Sequence, residues 1–308
     1  MRPAPAEPGR SRAKVGIKIL YIRHSTCFFN LKVRAAGRCF QGPAEPRRSR
    51  KLPKAAERAL HKKLAGVVVG SVNYGEADLI VTFLTRELGL LSALARYGRR
   101  SRRRFGGGLL SPGAMAWYDF TLKPQSTLAF VEKAEENPRV RRLPPDPVVQ
   151  ALAAFALELV RGFETPQNPA SASFSLLVRH LGRLARGPDE ETARRAALEF
   201  SARYLQLAGF GPALTACLIC GAPAEPGASG WRWHPAAGGL YCPRCPGSGR
   251  PVPPALLARP GETDPPWPPL LGRGELAEAE TFFEDLAAHQ LGRPLKALGV
   301  ARRLFSRP

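Results

Sequence analysis

Four cysteines in two close pairs are the residues of this chain with the clearest capacity for chemistry. Cys217 and Cys220 form one C-x-x-C pair, and Cys242 and Cys245 form a second pair after 21 intervening residues. Four thiolates arranged as a tetrahedron satisfy Zn²⁺ and leave no coordination position open. The spacing is one residue longer than the usual tetracysteine range, and it predicts one structural zinc ion per chain.

Two other interpretations of these cysteines stay open. They could be a pair of redox dithiols, or buried thiols that are close only in sequence. A redox C-x-x-C normally stands alone at the start of a helix, so the doubled motif favours a metal. His234 lies between the two pairs as an alternative ligand, although a histidine in such a loop is more often a bystander. Cys27 and Cys39 lie far from the group, which argues against a small disulfide-linked secreted domain.

An arginine-rich segment is the second feature with evident chemistry. Five arginines occupy six consecutive positions before three glycines: Arg99, Arg100, Arg102, Arg103 and Arg104. Guanidinium groups neutralise phosphates, so we interpret the segment as a loop that follows a nucleic-acid backbone. A solvated charged face without a ligand is the alternative.

Sequence motifs for catalysis are missing. The chain has no phosphate-binding glycine loop with Lys and Ser or Thr, no H-E-x-x-H and no G-x-S-x-G, and its 5 histidines are scattered. Glu76 and Asp78 are close enough to share a metal, but two carboxylates in a turn more often form and cap the turn. We therefore interpret the protein as non-enzymatic.

The positive charge is concentrated at the N-terminus. The whole chain has a formal net charge of +21 and a pI near 10.6, which favours a polyanionic partner. Residues 1–64 contribute 17 Lys and Arg against 3 Asp and Glu. We expect residues 1–65 to be a basic, disordered extension or the result of a start site assigned too far upstream.

The elements that must position these groups follow from periodicity. Five short runs between residues 67 and 133 are rich in β-branched or aromatic residues and predict the strands of a small barrel, an oligonucleotide-binding fold among the candidates. Trp117 alternates with Tyr118 and Phe120, so its ring lies on the opposite face. It is a candidate for stacking on bases, with packing beneath a helix as the alternative.

Helical periodicity begins after a proline cluster at residues 144–147. Apolar residues recur every three or four positions between 148 and 163, 174 and 184, 193 and 207, and 276 and 286. Residues 251–269 are predicted to be irregular, and residues 291–296 to close the chain with a turn and tail. No apolar run is long enough to cross a membrane or to form a signal peptide, so we expect a soluble, intracellular protein.

Several motifs in fixed order carry a family resemblance. Residues 73–89, 99–108 and 131–135 resemble the N-terminal barrel of the RecO family of recombination mediators, and residues 209–212, 217–221, 233–239 and 289–296 resemble its later signatures. The resemblance covers about residues 66–300. Residues 1–65 have no counterpart in the family pattern.

The resemblance implies an α+β architecture with an N-terminal oligonucleotide-binding barrel over residues 66–145. An all-α domain would follow over residues 146–308, with a four-cysteine zinc finger at about 213–248. It also implies a cytoplasmic, nucleoid-associated bacterial protein that binds single- and double-stranded DNA and anneals complementary strands. With RecR and RecF, such a protein helps to load RecA onto DNA coated by single-stranded-DNA-binding protein (SSB).

Two rival functions and one partner site complete the expectations. A zinc-ribbon protein that binds RNA or the ribosome has the same features, and a zinc-dependent nuclease is a second rival. A catalytic zinc keeps a position for water, which four sulfur ligands do not leave. For the acidic C-terminal tail of SSB we predict a site on the helical domain at Arg179, Arg183 or Arg186.

Overall fold

The computed structural model describes residues 59–124, 126–257 and 271–305. Five strands close into a barrel: β1 (Leu60–Tyr74), β2 (Asp78–Thr85), β3 (Gly89–Ala95), β4 (Met115–Leu122) and β5 (Leu128–Glu136). Their order around the barrel is β1-β2-β3-β5-β4, with β3 and β5 parallel and the other pairs antiparallel. A closed five-stranded barrel with such a crossover has the oligonucleotide-binding architecture, which confirms the predicted fold.

Alternating apolar residues build the interior of the barrel. The rings of Phe83, Tyr118 and Phe120 are buried together, with centroids 4.6 Å apart for Phe83 and Tyr118 and 5.1 Å for Phe83 and Phe120. A short helix, α1 (Arg102–Phe105), and a 3-10 turn (Gly106–Gly108) connect β3 to β4. Phe105 and Leu110 from this connection join the interior cluster, so the arginine-rich segment is fixed to the barrel by its own apolar residues.

The first strand begins earlier than the sequence pattern indicated. The sequence pattern placed residues 60–65 in the N-terminal extension, but they pair with residues 117–122 of β4. The pairing of β1 with β2 has a register shift between Val68 and Gly70. Lys63 and its outward neighbours face solvent, so this half of the strand has the composition of a basic tail. The barrel therefore starts at Leu60, and the rest of the predicted extension lies outside the described residues.

This boundary predicts different outcomes for two truncations. Removing residues 1–64 deletes five β1–β4 pairs and the buried Leu64 side chain, whereas removing residues 1–58 leaves the strand complete. We expect the longer deletion to lower the melting temperature by about 5 °C or more relative to the shorter one, from lost apolar burial and strand pairing. Thermal unfolding of both truncated proteins measures the difference, and equal melting temperatures would contradict the boundary.

Among the described residues, five helices belong to the second domain: α2 (Pro147–Phe163), α3 (Ser171–Leu184), α4 (Glu190–Leu207), α5 (Arg273–Leu291) and α6 (Lys296–Phe305). Asp146 caps α2 by accepting the Val149 N–H at 2.8 Å, with Pro147 in the first turn. The predicted tail is instead a helix, because Leu298 and Ala301 of α6 are buried. In the part of the chain that is described, no helix combines the length and apolar character needed to cross a bilayer.

A small sheet lies between α4 and α5. Its strands are β6 (Ala213–Cys217), β7 (Arg232–His234), β8 (Gly239–Tyr241) and β9 (Arg250–Pro251), in the order β6-β8-β7-β9, followed by a 3-10 turn (Pro254–Leu256). The last strand extends a few residues past the predicted finger boundary at 248. The predicted irregular segment 251–269 falls mostly outside the described residues.

The barrel and the helices share one apolar core. Val67, Val69, Leu84 and Leu90 lie on the outside of the barrel and belong to the buried cluster of the helical domain. Gly89 permits this approach, since its φ is +59° and a Cβ there would lie 2.0 Å from the Asn168 carbonyl oxygen.

A buried histidine in this core makes stability depend on pH. His180 is 3% exposed, its ring stacks on Phe200 at 4.7 Å, and its ring nitrogens have no hydrogen-bond partner among the described residues. Burial, with the Arg183 charge nearby, lowers the pKa of His180 to about 3. Below about pH 6.5 the unfolded chain therefore binds a proton that the folded chain excludes, and stability falls with decreasing pH.

We expect His180→Phe to remove this contribution. When the pH is lowered from 6.5 to 4.5, the free energy of unfolding should fall by about 2–3 kcal/mol more in the unmodified protein than in the variant. Denaturant unfolding at several pH values measures both slopes, and parallel slopes would contradict the assignment.

Candidate metal centre and nucleic-acid interface

The small sheet brings the two cysteine pairs together. Cys217 ends β6 and Cys242 follows β8, and these neighbouring strands are parallel. The Cys242 N–H donates to the Cys217 Sγ at 3.4 Å. Gly221 turns the chain after the first pair with φ of +69°, and its N–H donates to the Cys217 carbonyl at 3.0 Å. The topology of the sheet, more than the sequence spacing, thus decides that the pairs face each other.

The four sulfur atoms have the geometry of a tetrahedral metal site. The Sγ atoms of the predicted ligands all lie within 4.8 Å of one another, and those of Cys220 and Cys242 are 3.8 Å apart. Sulfurs bound to one tetrahedral ion at about 2.3 Å are separated by about 3.8 Å. The four cysteines could therefore hold one metal ion. His234 lies outside the cluster, where its Nδ1 accepts the Ala237 N–H at 3.2 Å.

The electrostatics of the cluster favour a cation. Burial opposes ionisation of Cys217, but the backbone N–H groups of Cys220 and Cys242 outweigh it and lower the pKa of the Cys217 thiol to about 6. Hydrogen bonds with the sulfurs of Cys220 and Cys242 raise the pKa of Cys245 to about 12. The thiol groups thus compete for negative charge, and a divalent cation would relieve this repulsion.

The finger is attached to the helical domain by its aromatic residues. Trp233 is 1% exposed, and its ring lies 5.6 Å from that of Phe282 on α5. Arg232 donates to the carbonyl oxygens of Cys242 and Cys245, at 3.2 and 2.9 Å, and so ties the second cysteine pair to β7. Arg250 of β9 forms an ion pair with Asp285 of α5. Order at the metal site is therefore coupled to the packing of α5.

The arginine-rich segment lies against the turn between β1 and β2. The Arg99 N–H donates to the Ala77 carbonyl at 3.0 Å, and its Nη1 donates to the Glu76 carbonyl at 3.1 Å. The Asp78 carboxylate accepts the Tyr97 N–H at 2.7 Å. This carboxylate has the turn-forming role that the sequence favoured for the acidic pair.

The five arginines divide into two groups. The Arg104 Nε donates to Ser101 Oγ at 3.2 Å, its Nη2 donates to the Arg96 carbonyl, and its guanidinium covers the Phe105 ring, so Arg104 and Arg99 hold the loop in shape. The other three, Arg100, Arg102 and Arg103, are exposed, and their side chains have no ion pair or hydrogen bond with any described residue. These three have guanidinium groups available to a ligand.

Sequence reasoning missed a second basic group on the barrel. Arg96, directly after β3, and Lys123, directly after β4, both lie over the Phe130 ring of β5, at 4.8 and 4.6 Å from its centroid. The parallel pairing of β3 with β5, in which Leu94 is opposite Phe130, brings the three together. Arg96, Lys123 and Phe130 are isolated single residues in the sequence, so no local sequence pattern predicts that they meet.

Trp117 lies on another part of the barrel surface. It is 42% exposed, which excludes burial beneath a helix, and its strand partners are Ala65 and Glu135. Lys133 and Lys63 donate hydrogen bonds to the Glu135 carboxylate, and these bonds lower its pKa to about 2. No hydrogen bond or ring contact joins Trp117 to the arginine segment within the described residues. Its role in stacking stays a prediction.

The chain is similar to known protein families over both domains. Residues 60–136 match the family described as "Recombination protein O N terminal", and residues 144–299 match "Recombination protein O C terminal". The first match begins at the residue where β1 begins in the structure.

Individual relatives agree with these matches. A "DNA repair protein RecO" of Syntrophus aciditrophicus (strain SB) is 33% identical over 256 residues, which is 79% of this chain and 95% of the relative. A protein of the same name in Anaeromyxobacter sp. (strain K) is 37% identical over 250 residues, 76% of this chain and 93% of the relative. The similarity thus spans both domains and the cysteine region.

Proposed function

Because this chain belongs to the RecO family of DNA repair proteins, we propose that it is a non-enzymatic mediator of homologous recombination that binds single- and double-stranded DNA. In this role it anneals complementary strands and, with RecR and RecF, helps to load RecA onto SSB-coated DNA at the bacterial nucleoid. The observation that carries DNA binding is a set of three exposed arginines on the closed barrel whose side chains bind no other described residue, namely Arg100, Arg102 and Arg103.

The chemistry of these arginines supports a phosphate ligand. An arginine already bound to a carboxylate must break that pair before it can bind a phosphate, whereas an unpaired one loses only water and counterions. The barrel architecture supplies a surface of the kind that binds oligonucleotides elsewhere. Arg96 and Lys123, aligned over Phe130, add two cations on the same domain.

We propose that the cysteine cluster holds a zinc ion with a structural role. Thiolates are ligands that Zn²⁺ prefers, and coordination by four cysteines leaves no position for a reactive water. In this proposal the zinc stabilises the finger on α5 and takes no part in the phosphate contacts of the arginine loop. This assignment argues against the nuclease alternative.

For the acidic tail of SSB we propose the exposed surface of α3 and of the turn that follows it. Arg179 and Arg186 are exposed, and neither has an ion pair with any described residue. Arg183 lies between them in sequence but already binds Glu199. Carboxylates of an acidic peptide would therefore meet Arg179 and Arg186 first.

An annealing assay tests the proposed function. Two complementary oligonucleotides, each coated with SSB, should anneal faster with the protein than without it, and addition of RecR should speed the loading of RecA. No acceleration, together with tighter binding of structured RNA than of single-stranded DNA, would favour the RNA-binding alternative. Cleavage of the oligonucleotides in the presence of zinc would favour the nuclease alternative.

A further inference from the structure

Tyr97 has a conformation that needs an explanation. It is 63% exposed, and its φ of 53° lies in the left-handed region, which is unfavourable for a residue with a bulky side chain. Its ring contacts no other ring or cation among the described residues. Packing therefore does not explain why a tyrosine, and not a glycine or asparagine, occupies this position.

Several hydrogen bonds hold Tyr97 in this conformation. The Asp78 carboxylate accepts its N–H at 2.7 Å, and its carbonyl accepts the N–H groups of Arg100 and Ser101 at 3.0 and 2.9 Å. The turn that begins the arginine loop thus determines the backbone of Tyr97 and leaves its ring in solvent. Strain maintained in this way, at a residue without a packing role, is typical of functional positions.

A second exposed tyrosine lies at the same edge of the barrel. Tyr74 is 55% exposed and is the direct strand partner of Asp78, the residue that binds the Tyr97 N–H. Arg99 binds the carbonyl oxygens of Glu76 and Ala77 in the turn between them. Asp78 therefore connects the two exposed tyrosines, as the strand partner of Tyr74 and as the acceptor of the Tyr97 N–H, next to the arginine loop.

Aromatic rings beside unpaired cations match the chemistry of single-stranded nucleic acid. Bases with free faces stack on aromatic side chains, while arginines neutralise the phosphates between them. The paired and stacked bases of a duplex do not offer those faces.

We propose that Tyr74 and Tyr97 form a base-stacking platform that gives this protein its affinity for single-stranded over double-stranded DNA. The three free arginines bind phosphates of either form, and Asp78 positions Tyr97. This inference rests on the proposed function and adds the residues that distinguish the two forms of DNA.

Tyr97→Gly tests the platform, because it removes the ring and relieves the backbone strain. We expect the affinity for a single-stranded oligonucleotide to fall about 5- to 100-fold at fixed salt, as for loss of one stacked base. Affinity for a duplex of the same length should change by less than about twofold, and the melting temperature should not fall. Tyr97→Phe should keep the affinity for single strands. Tyr97→Asn, which tolerates the same φ without the flexibility of glycine, should lose it.

The position of Asp78 gives an independent test. Asp78→Asn and Asp78→Ala both remove a negative charge, but only the asparagine retains an acceptor for the Tyr97 N–H. Single-strand affinity should be lower with Ala than with Asn, and this difference should vanish when Tyr97 is glycine.

Three outcomes would overturn the inference or its premise. Unchanged single-strand affinity in Tyr97→Gly would exclude the platform. Equal losses for single strands and duplex would show that Tyr97 only shapes the loop. An unmodified protein that binds neither form of DNA would refute the proposed function itself.

Discussion

Replacement of Cys217 by serine is expected to abolish binding of the proposed zinc ion and to unfold the finger together with part of the helical domain. The Cys217 sulfur is buried and lies within 4.8 Å of the three other sulfurs, so its loss leaves an incomplete set of ligands. Zinc binding by four thiolates is worth on the order of 10 kcal/mol, and in small metal domains this energy is folding energy.

The size of the effect follows from the packing of the finger on α5. Trp233 contacts Phe282 through its ring, and both side chains belong to the core of the helical domain. Loss of order at the cysteines therefore exposes apolar surface beyond the finger. We expect the free energy of unfolding to fall by about 4 kcal/mol or more, because loss of a metal is one of the few changes with effects of this size.

Metal analysis and denaturant unfolding of the full chain measure this result. Cys27→Ser is the matched control, because it makes the same chemical change outside the predicted ligand set and should retain one zinc per chain. Cobalt substitution should give the spectrum of a tetrahedral four-sulfur site in the unmodified protein. A Cys217→Ser variant that keeps its stability but loses DNA binding would instead place the finger at the DNA.

Removal of the three free arginines is expected to have the largest effect on DNA affinity. Arg100, Arg102 and Arg103 are exposed and unpaired within the described residues, so each can neutralise one phosphate. Replacing all three by alanine should reduce the slope of log affinity against log salt by about 2 to 3. The corresponding loss of affinity at 0.15 M salt is on the order of 100-fold for duplex DNA.

Fluorescence anisotropy over a range of salt concentrations measures both quantities. Arg179→Ala combined with Arg186→Ala is a control, since it removes two exposed arginines, one on α3 and one in the turn that follows it, that have no ion pair with any described residue. The salt slope should stay unchanged without SSB. Arg99→Ala and Arg104→Ala should lower the melting temperature and change the salt slope little, because these side chains form hydrogen bonds within the barrel and its loop. An unchanged slope in the triple variant would refute the phosphate contacts.

Much of the fold could be predicted because its signals are local. Tyr118 and Phe120 alternate with Trp117, since a barrel interior excludes water and its exterior does not, and this period is visible in sequence. The four cysteines are recognisable for a similar reason. Few other chemical roles require two C-x-x-C pairs at that distance, and the sheet then places all four sulfurs within reach of one ion.

The start of the barrel could not be predicted because the evidence for it lies in a distant strand. Residues 60–65 resemble a basic tail when considered alone, and only their pairing with β4 makes them part of β1. Likewise, nothing in the sequence distinguishes the five arginines from one another. In the structure, Arg99 donates to the Glu76 carbonyl and Arg104 to the Arg96 carbonyl, whereas the side chains of the other three bind no described residue.

The sequence by itself therefore determined which elements form and which residue types could bind metal and phosphate, because periodicity and ligand spacing are properties of neighbouring residues. Only the tertiary structure decided which side chains meet. The parallel pairing of β3 and β5 places Arg96 and Lys123 over Phe130, and the turn at Asp78 leaves Tyr74 and Tyr97 exposed. Contacts between residues far apart in the chain depend on the closure of the barrel, which no local pattern encodes.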